Sequence, residues 1–461
     1  MEDRAEQYYN EGVEFVKLGR YSDALSSFDR AIAINPNISE AWFFKGFTLH
    51  ELGRHTEAVT SYDKAIAINP NDAEAWNNRG VTQHKLRQNA DAVDSYDKAI
   101  AIDPNHVDAW FSRGNALYEL ERYQDAIASY DKAIAIDPNH VDAWFNRGNA
   151  LCDLNQYQEA IASYDKAIAI GSDSETSWNN RGLALLELGQ YTEAVDSFDK
   201  AITIMPNDAD AWFNRGLALF EIGQCTEAVD SFDKAIAINP DDIEVWYNRG
   251  VALSHLGRYT EAVNSFDKAI AINPNDARAW NGRGNALYEL ERYQDAIASF
   301  DKAIEIKPDY VNAWAIHGMA LFNLGQNIGA LASFNKVLAI NPNESIAWSL
   351  RGLILTSLGK YTEAIVSYDK AIEIKPDYAN AWSYRGLALY NLGRHAEAIA
   401  SFDKAIAINP DDIEVWYNRG VALSHLGRYT EAVASYDKAI AIKPDYAKAK
   451  HNRELALKKL T

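Results

Sequence analysis

Cysteine and methionine are nearly absent from this 461-residue chain, which has 2 of the first and 3 of the second. Two thiols, Cys152 and Cys225, make a disulfide framework implausible, and their scarcity suits a reducing cytoplasm. Positive charge is also in short supply: 45 Lys and Arg face 65 Asp and Glu, a formal net charge of −20. So acidic a chain is a poor ligand for a phosphate backbone or an anionic bilayer, and neither nucleic acid nor membrane is an expected partner. No apolar run approaches the ~18 residues needed to span a membrane. The opening MEDRAEQYYN lacks the basic and apolar regions of a secretory signal. Apolar content of 48% with 24% charged residues excludes wholesale disorder.

What the chain does have is period. All 12 Trp fall on one evenly spaced lattice, running Trp42, Trp76, Trp110 and onward by the same step to Trp416. All 12 Pro lie on a second lattice of that step, from Pro36 to Pro444, with Ser172 in the single vacant slot. A glycine lattice runs from Gly12 to Gly420. With Pro at position 32, thirteen repeats follow: 5–38, 39–72, 73–106, 107–140, 141–174, 175–208, 209–242, 243–276, 277–310, 311–344, 345–378, 379–412 and 413–446. Residues 1–4 form an N-terminal extension and 447–461 a capping helix, which leaves no stretch for a catalytic domain.

Within a repeat, apolar residues recur at three- and four-residue intervals in two blocks, as in Trp144, Gly148, Leu151 and then Tyr157, Ala160, Ile161, Tyr164. That spacing predicts two amphipathic helices. Gly at position 15 in nine repeats (Gly19, Gly53, Gly189) predicts a left-handed C-terminus between them, and Pro at 32 ends the second helix. Ala at 20 and 27 with Phe or Tyr at 24 predicts aromatic knobs against alanine holes. Residues 238–263 recur identically at 408–433, so repeats 9–13 read as a duplicate of repeats 4–8.

The pattern of Trp at 4, Gly at 8, Tyr at 17, Ala at 20, Phe or Tyr at 24, Ala at 27 and Pro at 32 resembles the tetratricopeptide repeat. The resemblance implies an all-α fold, a right-handed superhelical solenoid of helix–turn–helix units whose first helices line a concave groove. Repeat 1 departs with Tyr8 for Trp, repeat 5 with Gly171-Ser172, and repeat 10 with Asn327, Gly329, Asn335 and Val337. The family's clamp for chaperone tails needs Lys at positions 5 and 2 and Arg at 6, and no repeat here carries that set.

Catalytic constellations are thin. His106 and His140 stand one repeat apart, too far to share a zinc at ~2.1 Å from each. Cys225 reads as a small core residue, and Cys152 has no evident base beside it. No cofactor or metal and no enzymatic activity are expected. Arg at position 7 and Asp at 25 are read as a structural pair at the interface of each helix pair. The one repeat without that Asp has Asn335, and its position 7 is His317.

The groove is the remaining candidate. With Trp at 0° on a helical wheel, positions 8 and 11 fall at about 40° and −20° and define a core face. Positions 2, 6, 9 and 13 fall opposite, at about 140–200°. Position 6 is Asn at Asn10, Asn78, Asn146, Asn180, Asn214, Asn248 and Asn418. Each amide offers a donor and an acceptor, so a row of them grips an extended backbone without reading its side chains. The row resembles the asparagine ladder in the tetratricopeptide region of O-linked N-acetylglucosamine transferase. Acids flank it: Asp108, Asp142, Asp210 and Glu244 at position 2, and Glu119, Asp153, Glu187 and Glu221 at position 13. One sign of charge along a channel favours basic, extended or disordered segments of other proteins. The expected function is therefore a non-enzymatic protein–protein interaction scaffold. A targeting or adaptor lattice for an enzyme that is encoded elsewhere or was removed from this chain, and a self-assembling structural rod, are the alternatives.

Overall fold

The computed structural model describes residues 2–461; Met1, part of the expected extension, lies outside the described residues. Residues 2–4 open the first helix, Glu2–Lys17. All regular structure among the described residues is helical, in 27 consecutive helices. From the second repeat on, a first helix of 13 residues alternates with a second of 14, as in Ser39–Glu51 and His55–Ile68. After the thirteenth pair comes a single helix, Ala447–Lys458. Two compact units divide the chain, one reaching Asn239 and the other running from Pro240 to Thr461, each an all-α solenoid. No described helix is long and apolar enough to cross a membrane.

The turn inside each pair is left-handed, as the glycines imply. Nine of these turn residues are Gly, with φ between 68° and 80°. The same slot in the other four repeats holds Arg87, Glu121, Asn155 and Glu291 at φ 57–59°, a region that costs an L side chain about 1–2 kcal/mol.

The ring at position 24 is the centre of every repeat's core. Phe28, Tyr62, Tyr96 and Phe198 are all at most 1% exposed. The hole each ring fills is glycine rather than alanine alone: a Cβ on Gly46 would lie 2.8 Å from the Tyr62 ring, and one on Gly216 would lie 2.5 Å from Phe232. Rings of this kind anchor a buried cluster in the first unit around Tyr130 and Tyr164, and one in the second around Phe402 and Tyr436.

The core face is not the one centred on Trp. Positions 3, 8, 10 and 11 are buried (Ala143, Gly148, Ala150, Leu151), whereas Trp144 is only half-buried. The buried stripe is thus rotated by about 50° from the tryptophan. The indole instead makes a hydrogen bond. Trp144 Nε1 donates to the Pro138 carbonyl at 3.0 Å, in the turn that precedes its helix. Trp42, Trp76 and Trp110 repeat this bond to Pro36, Pro70 and Pro104. Where Ser172 replaces proline, Trp178 turns instead to the Asp173 carboxylate, 2.7 Å away.

The Arg–Asp pair also needs correcting. Arg79 Nε donates to Asp63 Oδ1 at 2.7 Å, and Asp63 belongs to the preceding repeat. Its Nη1 donates to Ser95 Oγ of its own repeat at 2.7 Å, and the guanidinium lies 5.7 Å from the Trp76 ring. Arg113, Arg147 and Arg181 repeat the arrangement, so the pair links repeats rather than the two helices of one. Asp29 of repeat 1 accordingly pairs with Lys45, and Asp437 of repeat 13 with Arg453 of the terminal helix. In repeat 10 the substitutions fall on two different links: His317 meets Asp301 at 3.3 Å, and Arg351 donates to Asn335 at 2.8 Å.

Candidate functional site

The position-6 asparagines Asn78, Asn146, Asn180, Asn214, Asn248 and Asn418 are all half-buried on the first helices. They do not behave alike. In repeats 5 and 6 they join a network with residues that the wheel placed on the groove but did not single out. Asn146 Nδ2 donates to Asn115 Oδ1 at 2.9 Å, and Asn180 Nδ2 donates to Asn149 Oδ1 at 3.1 Å. The same oxygens accept from the core phenols, Tyr130 at 2.9 Å and Tyr164 at 2.8 Å. Burial pushes both phenols well above the ordinary tyrosine value, so they remain protonated donors. Both lone pairs of each position-9 oxygen are thus used, which fixes these amides.

Around this network lie two cavities one repeat apart. The first, about 280 Å³, is lined by Asn115, Asn146, Asn149, Tyr118, Glu119, Tyr130 and His84. The second, about 340 Å³, is lined by Asn149, Asn180, Tyr118, Cys152, Asp153, Tyr164 and Leu183. Of the acids read from the sequence, Glu119 and Asp153 contribute to these walls. Asp108, Asp142, Asp210, Glu187 and Glu221 are exposed and outside them. Burial pushes the Cys152 thiol up, which keeps it protonated beside the Tyr164 hydroxyl at 3.5 Å.

The other asparagines have different occupations. Asn214 Nδ2 donates to Asn179 Oδ1 at 3.3 Å. Asn78 and Asn248 turn back onto their own helices, donating to the Glu74 and Glu244 carbonyls at 2.9 and 2.8 Å. Three of the four consecutive asparagines lie in the first unit, and Asn248 lies in the second. Glu244, expected as an acidic flank, is paired: Arg278 Nη2 is 2.5 Å from its carboxylate and 2.9 Å from Asp276, which shares the same cation. At repeat 9 the position-6 slot is Gly282, where a Cβ would meet the Phe266 ring at 2.6 Å. An asparagine there has no room.

Position-5 aromatics cover the core ring of their own repeat, as in Phe145 against Tyr164 at 5.8 Å and Phe213 against Phe232 at 6.0 Å. His106 and His140 are helix caps: each Nδ1 accepts the backbone N–H of Ala109 or Ala143, at 3.4 and 3.2 Å. Asp72 and Asp412 do the same from the same position. No group of three or more His, Cys, Asp or Glu among the described residues could hold a metal ion.

Tetratricopeptide-repeat profiles match at 5–38, 78–175, 244–311 and 385–447, related repeat profiles match at 46–86, 182–257 and 352–393, and another tetratricopeptide profile matches at 287–354. Together they run from residue 5 to 447 with gaps only at 39–45 and 176–181. The chain belongs to the tetratricopeptide repeat family. No curated protein matches the sequence. Similar solved structures include YrrB, a tetratricopeptide protein described as having an unusual peptide-binding site. It is 27% identical, with 41% of this chain and 96% of YrrB covered at a TM-score of 0.38. The Cut9–Hcn1 hetero-tetramer is 16% identical over 98% of this chain and 96% of the matched one, with a TM-score of 0.40. A tetratricopeptide protein of Cytophaga hutchinsonii is 20% identical over 51% and 97%, with a TM-score of 0.47.

Proposed function

We propose that this tetratricopeptide protein is a non-enzymatic scaffold that binds extended, basic segments of partner proteins along the first helices of repeats 4–7. The observation that carries the reading is the pair of adjacent polar cavities built on Asn115, Asn146, Asn149 and Asn180, each with a carboxylate in its wall. Repeating amides suit a repeating peptide backbone, and Glu119 and Asp153 favour Lys or Arg side chains on it. Glu187, Glu221, Asp108, Asp142 and Asp210 extend the same sign of potential along neighbouring repeats. Asn214 continues the row, while Asn78, Asn248 and Asn418 are weaker members of it.

The test is calorimetric titration of the full chain with an acetylated, amidated peptide alternating Lys and Gly. Truncating Asn146, Asn180, Asn214 and Asn248 to Ala is expected to weaken binding about tenfold, with helicity unchanged and melting lowered only by the loss of the inter-repeat amide bonds. Unchanged affinity in that variant would show that the row is inherited surface.

A further inference from the structure

The cavities of repeats 4 and 5 share one register: positions 9, 12, 13 and 24 of one repeat, closed by positions 6 and 9 of the next. The same register encloses a third cavity, of about 540 Å³, between repeat 13 and the terminal helix Ala447–Lys458. Its chemistry is inverted. Where the first cavity has Asn115 and Asn149 at position 9, this one has Val421 and Leu455. Where the first has Glu119 at position 13, this one has His425, and the terminal helix adds Lys458 and Lys459. Leu455 is 48% exposed, a large apolar side chain left uncovered in a cavity wall. The His425 imidazole is held in place, with Nε2 2.8 Å from the Tyr390 hydroxyl and its ring stacked on His395 at 5.0 Å.

Val421 and His425 are shared with Val251 and His255 of repeat 8, so what sets this cavity apart is the terminal helix. A separate divergence between the duplicated halves thins the acids of the second copy. At position 2, Asp108, Asp142 and Asp210 correspond in the second copy to Arg278, Asn312 and Asn380. At position 13, Asp153, Glu187 and Glu221 correspond to Asn323, Ser357 and Asn391. The Arg–Asp links of the framework persist through the second half, as in Arg283–Asp267, Arg385–Asp369 and Arg419–Asp403. Acids have thus thinned on the first-helix face opposite the core, where Glu289 and Glu414 remain at the positions of Glu119 and Glu244, while most of the structural pairs stayed. A face with fewer acids that ends on two lysines around a largely apolar cavity complements the opposite partner charge.

We infer that the cavity between repeat 13 and the terminal helix is a binding site for an acidic segment with an apolar side chain, which sits on Leu455 and Val421 between the lysines. A purely structural role for Lys458 and Lys459, as cations at a helix C-terminus, makes a different prediction. It ties them to helix stability and not to any ligand.

The experiment titrates the full chain by calorimetry with two acetylated, amidated hexapeptides, Gly-Asp-Leu-Asp-Leu-Gly and Gly-Lys-Leu-Lys-Leu-Gly. The acidic probe is expected to bind wild type and to lose about tenfold in affinity with Lys458→Glu/Lys459→Glu. Lys458→Gln/Lys459→Gln should lose less, Leu455→Ser several-fold, and Glu119→Gln/Asp153→Asn nothing. Absence of binding by the acidic probe overturns the inference, as does equal affinity for it in wild type and both lysine variants. The inference is independent of the reading of repeats 4–7, whose failure would appear only in the basic probe.

Discussion

Arg87, Glu121, Asn155 and Glu291 hold left-handed backbone that nine other repeats give to glycine. Replacing Glu121 by Gly is expected to raise stability by about 1 kcal/mol, seen as a higher denaturant midpoint with an unchanged slope. At the other glycine lattice the sign reverses. Gly216→Ala would push a methyl to 2.5 Å from Phe232 and should cost about 1–3 kcal/mol, measured in the same way. Both lattices are visible in the sequence, but their uses differ: one serves backbone conformation and the other makes room for a ring. The tryptophan is harder to read. Its constant separation from the preceding proline holds the signal for the indole–carbonyl bond, yet an aromatic residue at helical spacing invites assignment to the core.

At the scale of the helix pair, Arg351 and His317 mark where the inter-repeat links weaken. Asn335 offers Arg351 an amide oxygen in place of a carboxylate, and burial lowers the guanidinium's pKa without a full counter-charge. Asn335→Asp is expected to stabilise by about 1 kcal/mol, read from the thermal midpoint. Burial also holds the His317 imidazole below its usual value, against the opposing pull of Asp301. The unfolded chain therefore takes up a proton first as pH falls through the ordinary imidazole range, and repeat 10 loses stability on acidification. His317→Arg should restore the link and flatten that part of the stability–pH curve. Strict repetition hides which Arg each Asp meets. Position 25 stands at nearly equal separations from the Arg before it and the Arg after it in every internal repeat, so the period alone cannot choose. Only the ends break the tie: Asp437 is followed by Arg453 in the tail, and Glu11 has no Asp before it at the matching position.

Over the whole chain, stability in such an array is close to a sum of repeat and neighbour terms, so local defects remain local. Amides of the turn at 171–174, where Ser172 replaces proline, and of repeat 10 are expected to exchange faster than their counterparts in repeats 4 and 8. Uniform protection along the array would contradict that. Fold class is legible because thirteen copies in phase leave little freedom. The candidate site is half legible: position 6 marks the asparagine row, but its engagement by Asn115, Asn149, Tyr130 and Tyr164 depends on which side chains meet between repeats. The central claim concerns where a basic segment lies. Photo-crosslinking the Lys-Gly peptide, with a reactive group at each end, to the full chain and mapping the adducts tests it most directly. Adducts on the first helices of repeats 4–7, around Tyr118, Asn149 and Asn180, are predicted. Adducts confined to the second helices, or spread evenly over all thirteen repeats, would contradict the account.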